Sequence, residues 1–194
     1  MSGYLKWSKW KEFAQLFDVR YFNSASSIKT SLGFIKTFLG ITQAEADIQQ
    51  GGLGSIFNYH PIADGLATAG QPQPAHFPLL REAGFTTVIN LAPHGAENAL
   101  ANEAELVAAN GMQYVHIPVA FDNPTEADFE QFCQALSVYP QQPVFIHCAA
   151  NMRVSAFVFR YRTQVLGEDV HKAKPDLDKL WKPFGVWADF IGPR

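Results

Sequence analysis

Between residues 51 and 167 the chain alternates two hydrophobic patterns. Short β-branched or apolar runs give way to longer stretches whose apolar positions recur every three or four residues. The first pattern predicts buried strands and the second predicts amphipathic helices. Strands are expected at 56–59, 65–69, 85–91, 112–119 and 143–147. Helices are expected at 74–83, 97–110, 125–139 and 154–166, with Gly84, Gly111 and Gly167 as stops. Residues 175–191 should form one or two closing helices, interrupted near Pro183 and Gly185. Strands that alternate with helices at this spacing imply βαβ units. The expected fold is a three-layer α/β/α body around a mostly parallel sheet of four to five strands.

Upstream the pattern is purely helical. Trp7, Trp10, Phe13, Ala14 and Phe17 share one face of a helix over 4–18. Ile28, Leu32, Ile35 and Leu39 form a stripe on a second helix over 27–39, with Lys29 and Lys36 opposite. Thr42 and Glu45 make a capping-box pattern that opens a third, ended by Gly51 and Gly52. The division predicted is a helical, basic, amphipathic extension over 1–54 and a catalytic body over 55–194.

Composition narrows the class. With 47% hydrophobic and 17% charged residues the chain is an ordinary globular protein. Charge is uneven: residues 1–40 carry six Lys/Arg against two Asp/Glu, and the remainder nine against sixteen. The basic arm fits packing on the acidic body, dimerisation, or peripheral contact with an anionic membrane or partner. The oligomeric state stays open, and no nucleic-acid partner is expected. Two cysteines provide no disulfide framework, no leader pattern opens the chain, and no apolar run reaches a membrane span. A soluble, cytoplasmic protein is the expectation.

The candidate chemistry lies in Val144-Phe-Ile-His-Cys-Ala-Ala-Asn-Met-Arg-Val-Ser155. A buried strand leads through Cys148 into a loop and then a helix. Loop amides and a helix N-terminus direct positive charge at one point, which suits an oxyanion and a nucleophilic thiolate. Arg153, at the dipole's unfavourable end for a cation, makes sense as a bidentate partner of that oxyanion. The phosphate-binding segment is expected to be Ala149, Ala150, Asn151, Met152 and Arg153. Asn151 suits a position of positive φ. Cys133, among Phe129, Phe132 and Leu136, reads as a core thiol instead. Ligands of such a sheet bind beyond the carboxyl ends of its strands, where the loops 92–98, 120–124 and 148–153 should meet. No pair of histidines has metal-ligand spacing, so neither a metal nor another cofactor is expected.

The segment from His147 through Ser155 resembles the signature loop of the cysteine-dependent protein tyrosine and dual-specificity phosphatases. More closely, the chain resembles the bacterial DUF442, or beta-lactamase-hydrolase-like, phosphatases. The likeness extends through Gly65-Leu-Ala-Thr-Ala-Gly-Gln-Pro72, Val88-Ile-Asn-Leu91 and Tyr114-Val-His-Ile-Pro118, and covers about residues 56–166. It implies a tyrosine-phosphatase-like fold and a phosphorylated protein or small-molecule substrate. Cys148 would attack phosphorus to form a phosphocysteine, Arg153 and the loop amides would hold the equatorial oxygens, and His147 would tune the thiolate. Ser155 would hydrogen-bond the departing thiolate. Asp122 fits the general acid, and equally an Asx-turn or helix cap. Asp128 is a second candidate that fits the first turn of the following helix, and His94 and Glu97 could touch substrate.

One departure stands out. Four residues, rather than the family's five, separate Cys148 from Arg153, and Val154 intervenes before Ser155. Because one residue turns a helix by about 100°, the loop must tighten or Arg153 must leave the helix. A six-residue loop also suits a rhodanese-like sulfurtransferase, and a shortened one suits a phosphate-binding adaptor.

Overall fold

The computed structural model describes residues 20, 23–38, 45–96, 98–139 and 142–192. The helix expected over 4–18 and the capping residue Thr42 lie outside them. Five strands form one sheet: β1 His60–Ala63, β2 Leu66–Ala69, β3 Thr87–Asn90, β4 Gln113–His116 and β5 Val144–His147. Their order is β1-β2-β5-β3-β4. Strands β2, β5, β3 and β4 run parallel, and β1 closes one edge as an antiparallel hairpin with β2.

The described helices are α1 Ala25–Phe38, α2 Glu45–Gly51, α3 His76–Glu82, α4 Glu103–Ala109, α5 Glu126–Val138, α6 Met152–Arg160, α7 Val170–Leu180 and α8 Val186–Phe190. The pleat divides the core between two faces of the sheet. Val144, Ile146 and Ile89 pack with Phe129 and Phe132 of α5, Phe157 of α6, Leu177 of α7 and Trp187 of α8. Ala67, Val88 and Phe145 pack with Phe77 and Leu80 of α3 and Val107 of α4. Every residue of β3 and β5 is buried, as expected for parallel strands covered on both sides. The three-layer α/β/α reading holds.

Several boundaries differ from those expected. Residues 56–59 are the turn that precedes β1, because Ile56 closes a short 3-10 helix over Gly52–Ser55. The helix expected over 97–110 is confined to Glu103–Ala109, with Leu100 in the irregular segment before it. Helix α6 begins two residues earlier than expected and widens into a π-turn over Tyr161–Val165. The closing helix α7 begins at Val170 and carries Pro175 within it.

Helix α1 docks by a face other than its apolar stripe. Ser27, Thr30 and Ser31 are buried while Ile28 and Leu32 are exposed. The Thr30 hydroxyl donates to the Leu180 carbonyl at the end of α7 and accepts from Asn58. Gly33 lets Phe57 lie against the helix backbone, since a Cβ there would stand 2.2 Å from the ring. No helix among the described residues is long and apolar enough to cross a membrane.

Candidate active site

Register sets the rim of the sheet. Ala69, His147, Asn90 and His116 stand side by side at the carboxyl ends of β2, β5, β3 and β4. The chain after each of these residues leaves the sheet on the same side, which is where a parallel sheet binds ligands. The central strand, β5, delivers Cys148.

Cys148 is buried, and its amide donates to the Ala69 carbonyl at 3.3 Å. The next residues turn their carbonyls outward. Ala149 O accepts from the Gln71 amide at 3.3 Å and from Asn98 Nδ2 at 3.0 Å, and Ala150 O accepts from Asn58 Nδ2 at 3.1 Å. The amides of Ala149 and Ala150 make no hydrogen bond within the described residues. Carbonyls tied outward with amides left over is the arrangement a backbone anion cradle needs. Gly70 permits it: a Cβ there would meet Ala149 O at 3.1 Å and Phe57 O at 3.0 Å.

Asn151 closes the loop in the left-handed region at φ 66 and ψ 6 and is the N-cap residue of α6. This is the positive φ its side chain tolerates. Fully buried, its Nδ2 donates to Asn58 O and Thr68 Oγ1, both at 2.9 Å. Arg153 stays in the first turn of α6.

Arg153 is 6% exposed, and its Nε has no hydrogen-bond partner among the described residues. Its guanidinium lies over the Phe121 ring, 4.9 Å from the centroid. Phe121 is fixed in turn by Trp187, whose Nε1 donates to the Phe121 carbonyl at 2.7 Å. An aromatic platform of this kind orients a guanidinium without consuming its donors. Sequence reasoning did not assign Phe121 this part, although its neighbour Asp122 was singled out.

Asp122 is exposed in the turn that begins with Phe121, and its carboxylate has no partner among the described residues. Asp128 is occupied by a reciprocal capping box with Thr125 at the start of α5, the first-turn position expected for it. Ser155 donates to Met152 O at 3.0 Å and accepts from Trp181 Nε1 at 3.1 Å. His94 is exposed, with its ring 4.0 Å from that of His116, whose Nε2 bonds Ala92 O. The Glu97 side chain lies outside the described residues. Cys133 is half-buried against the core, and burial raises its thiol pKa.

A carboxylate absent from the sequence reading lies behind the cradle. Glu103, 3% exposed, places Oε1 at 2.9 Å from Nε2 of the wholly buried His147. The contact is close but not an aligned hydrogen bond, and neither ring nitrogen of His147 makes one among the described residues. Gln71 and Asn90 amide groups and the Tyr114 hydroxyl also donate to Glu103, at 2.9, 2.7 and 3.3 Å. Burial alone would raise the Glu103 carboxyl, but His147, Gln71 and Tyr114 outweigh it and hold it below the usual range. Burial, then Glu103, push the Tyr114 hydroxyl up to about 12. In the sequence Glu103 looks like a solvated first-turn residue beside Glu105; only the packing of α4 on the sheet turns it inward.

Residues 65–181 match the family model described as DSP-PTPase phosphatase fused to NAD+ kinase. A beta-lactamase hydrolase-like protein of Agrobacterium fabrum is 35% identical over 129 residues, 64% of this chain and 28% of that protein. The chain therefore spans little more than a quarter of that curated relative. Among solved structures, a DUF442 phosphatase candidate of Shewanella putrefaciens CN-32 is 32% identical with a TM-score of 0.65, over 74% of this chain and 93% of that one. TpbA of P. aeruginosa, solved as a cysteine-to-serine variant in complex with pTyr, shares the fold at 18% identity. Its TM-score is 0.52, over 63% of this chain and 72% of that one.

Proposed function

We infer the activity from one premise: the chain belongs to the tyrosine-phosphatase-like DUF442 family. It hydrolyses a phosphomonoester through a phosphocysteine on Cys148. The observation that carries this reading is the loop itself, which follows the central strand with its carbonyls tied outward and Arg153 held in the first turn of α6. In the first step the Cys148 thiolate attacks phosphorus in line with the leaving oxygen. Loop amides and the Arg153 fork stabilise the equatorial oxygens as charge spreads onto them. Asp122 donates a proton to the leaving oxygen, and its exposed position leaves it free to approach a bound substrate. Water then attacks the phosphocysteine, and the thiolate departs as orthophosphate forms. For Ser155 to stabilise that thiolate, its hydroxyl would turn away from Met152 O. A phosphotyrosine-like or small phosphorylated molecule fits the reading, and the pTyr complex of TpbA is consistent with the former.

Purified protein assayed with an aryl phosphate, and separately with thiosulfate plus cyanide, tests the proposal against sulfur transfer. Vanadate-sensitive phosphate release that disappears in Cys148→Ser is expected. Thiocyanate formation alone would establish a sulfurtransferase, and phosphate binding without either product would establish an adaptor.

A further inference from the structure

Three donor groups and the His147 ring converge on Glu103, more than any surface role would require. They come from three strands and a loop: His147 on β5, Asn90 on β3, Tyr114 on β4, and Gln71 after β2. Gln71 reaches in both directions, because its side chain binds Glu103 while its amide holds Ala149 O of the cradle. A carboxylate this deep is costly to bury, and an apolar residue of similar size would serve stability as well. Its charge is best accounted for by the ring it faces, one residue from the nucleophile.

We propose that Glu103 is a positioning residue for Cys148, its carboxylate set against the His147 ring at the end of β5 and tied, through Gln71, to the loop. The inference rests on the phosphatase reading for its purpose and not for its test. Without that carboxylate the ring loses the partner that fixes its place at the end of β5, and the cradle that stabilises the Cys148 thiolate is held less firmly. Tyr114 is the other titratable group facing the pair among the residues that contact Glu103. Its hydroxyl, raised to about 12, stays neutral through neutral pH. The Arg153 charge is the same in every variant below.

The pH dependence of Cys148 alkylation by iodoacetamide, followed by peptide mass to separate it from Cys133, reads the thiolate directly and requires no turnover. Glu103→Gln should move the alkylation midpoint up by roughly one pH unit, as the cradle's hold on the thiolate loosens. Glu103→Asp, which keeps the charge but withdraws it by one methylene, should move it less and in the same direction. In a His147→Gln background, Glu103→Gln should add no further shift. An unchanged midpoint in folded Glu103→Gln would overturn the proposal, as would an equal shift with His147 absent. If Glu103→Gln does not fold, Glu103→Asp decides: an unchanged midpoint there counts against the proposal. Failure of phosphate release with these shifts present would indict the phosphatase reading alone.

Discussion

Asn151 joins the backbone geometry of the cradle to its anchoring, and two substitutions separate the contributions. Its φ of 66 is a conformation glycine adopts freely and alanine does not. Its Nδ2 makes two hydrogen bonds of 2.9 Å, to Asn58 O and Thr68 Oγ1, from a wholly buried position. Each bond contributes about 1 kcal/mol net, so either substitution loses about 2 kcal/mol. Alanine adds the left-handed penalty of about 1–2 kcal/mol. Glycine avoids that penalty but loses about 0.5–1 kcal/mol through the greater entropy of its unfolded chain. Asn151→Gly should therefore cost about 2–3 kcal/mol and Asn151→Ala about 3–4 kcal/mol. The order is the reverse of that seen within a helix, where alanine is better by about 1 kcal/mol. Urea denaturation of the two variants at constant m-value provides the comparison. An alanine variant as stable as the glycine variant, or more so, would refute the left-handed constraint at this residue.

Three further outcomes follow from the packing around the loop. Gly70→Ala should displace Ala149 O and cost about 1–3 kcal/mol by overpacking, with a several-fold loss in kcat/KM toward an aryl phosphate; wild-type kinetics would show that the contact is dispensable. Phe121→Ala removes the platform under Arg153, an interaction of about 0.5–2 kcal/mol, and should weaken orthovanadate inhibition by several-fold; an unchanged inhibition constant would contradict that role. The lowered Glu103 carboxyl makes its contribution to stability present above its ordinary value of 4.5 and lost as pH falls through the lower folded value. A thermal-shift series from neutral to acid pH should therefore fall more steeply below that value in wild type than in Glu103→Gln. Parallel curves would remove Glu103 from the acid transition.

The features legible in the sequence were those set by local pattern. Thr87–Asn90 and Val144–His147 are β-branched or apolar runs with no other plausible home than a sheet covered on both faces. Thr125 and Asp128 announce the start of α5 by their spacing alone. Asn151 was identifiable because few residues tolerate positive φ. What the sequence left hidden depends on contacts between distant segments. Glu103 is buried only because α4 turns it toward His147, forty-four positions away. Phe121 acquires its role from Trp187 and Arg153. Helix α1 inverts the expectation from its apolar stripe, because Ser27 and Thr30 have partners in Lys182 and Leu180 that no periodicity records. The shift from 97–110 to Glu103–Ala109 has a similar source: Asn98 is drawn from the helical pattern to bond Ala149 O.

The most direct test is a rapid acid quench during turnover of an aryl phosphate, followed by peptide mass spectrometry. The phosphoryl group should be found on the thiol of Cys148, at a level that rises when Asp122 is replaced by Asn and a good leaving group is used, if Asp122 also assists the attack of water. No adduct should form on Cys133 or in Cys148→Ser. Phosphate release with full activity in Cys148→Ser, or a phosphoryl group trapped on any other residue, would contradict the account.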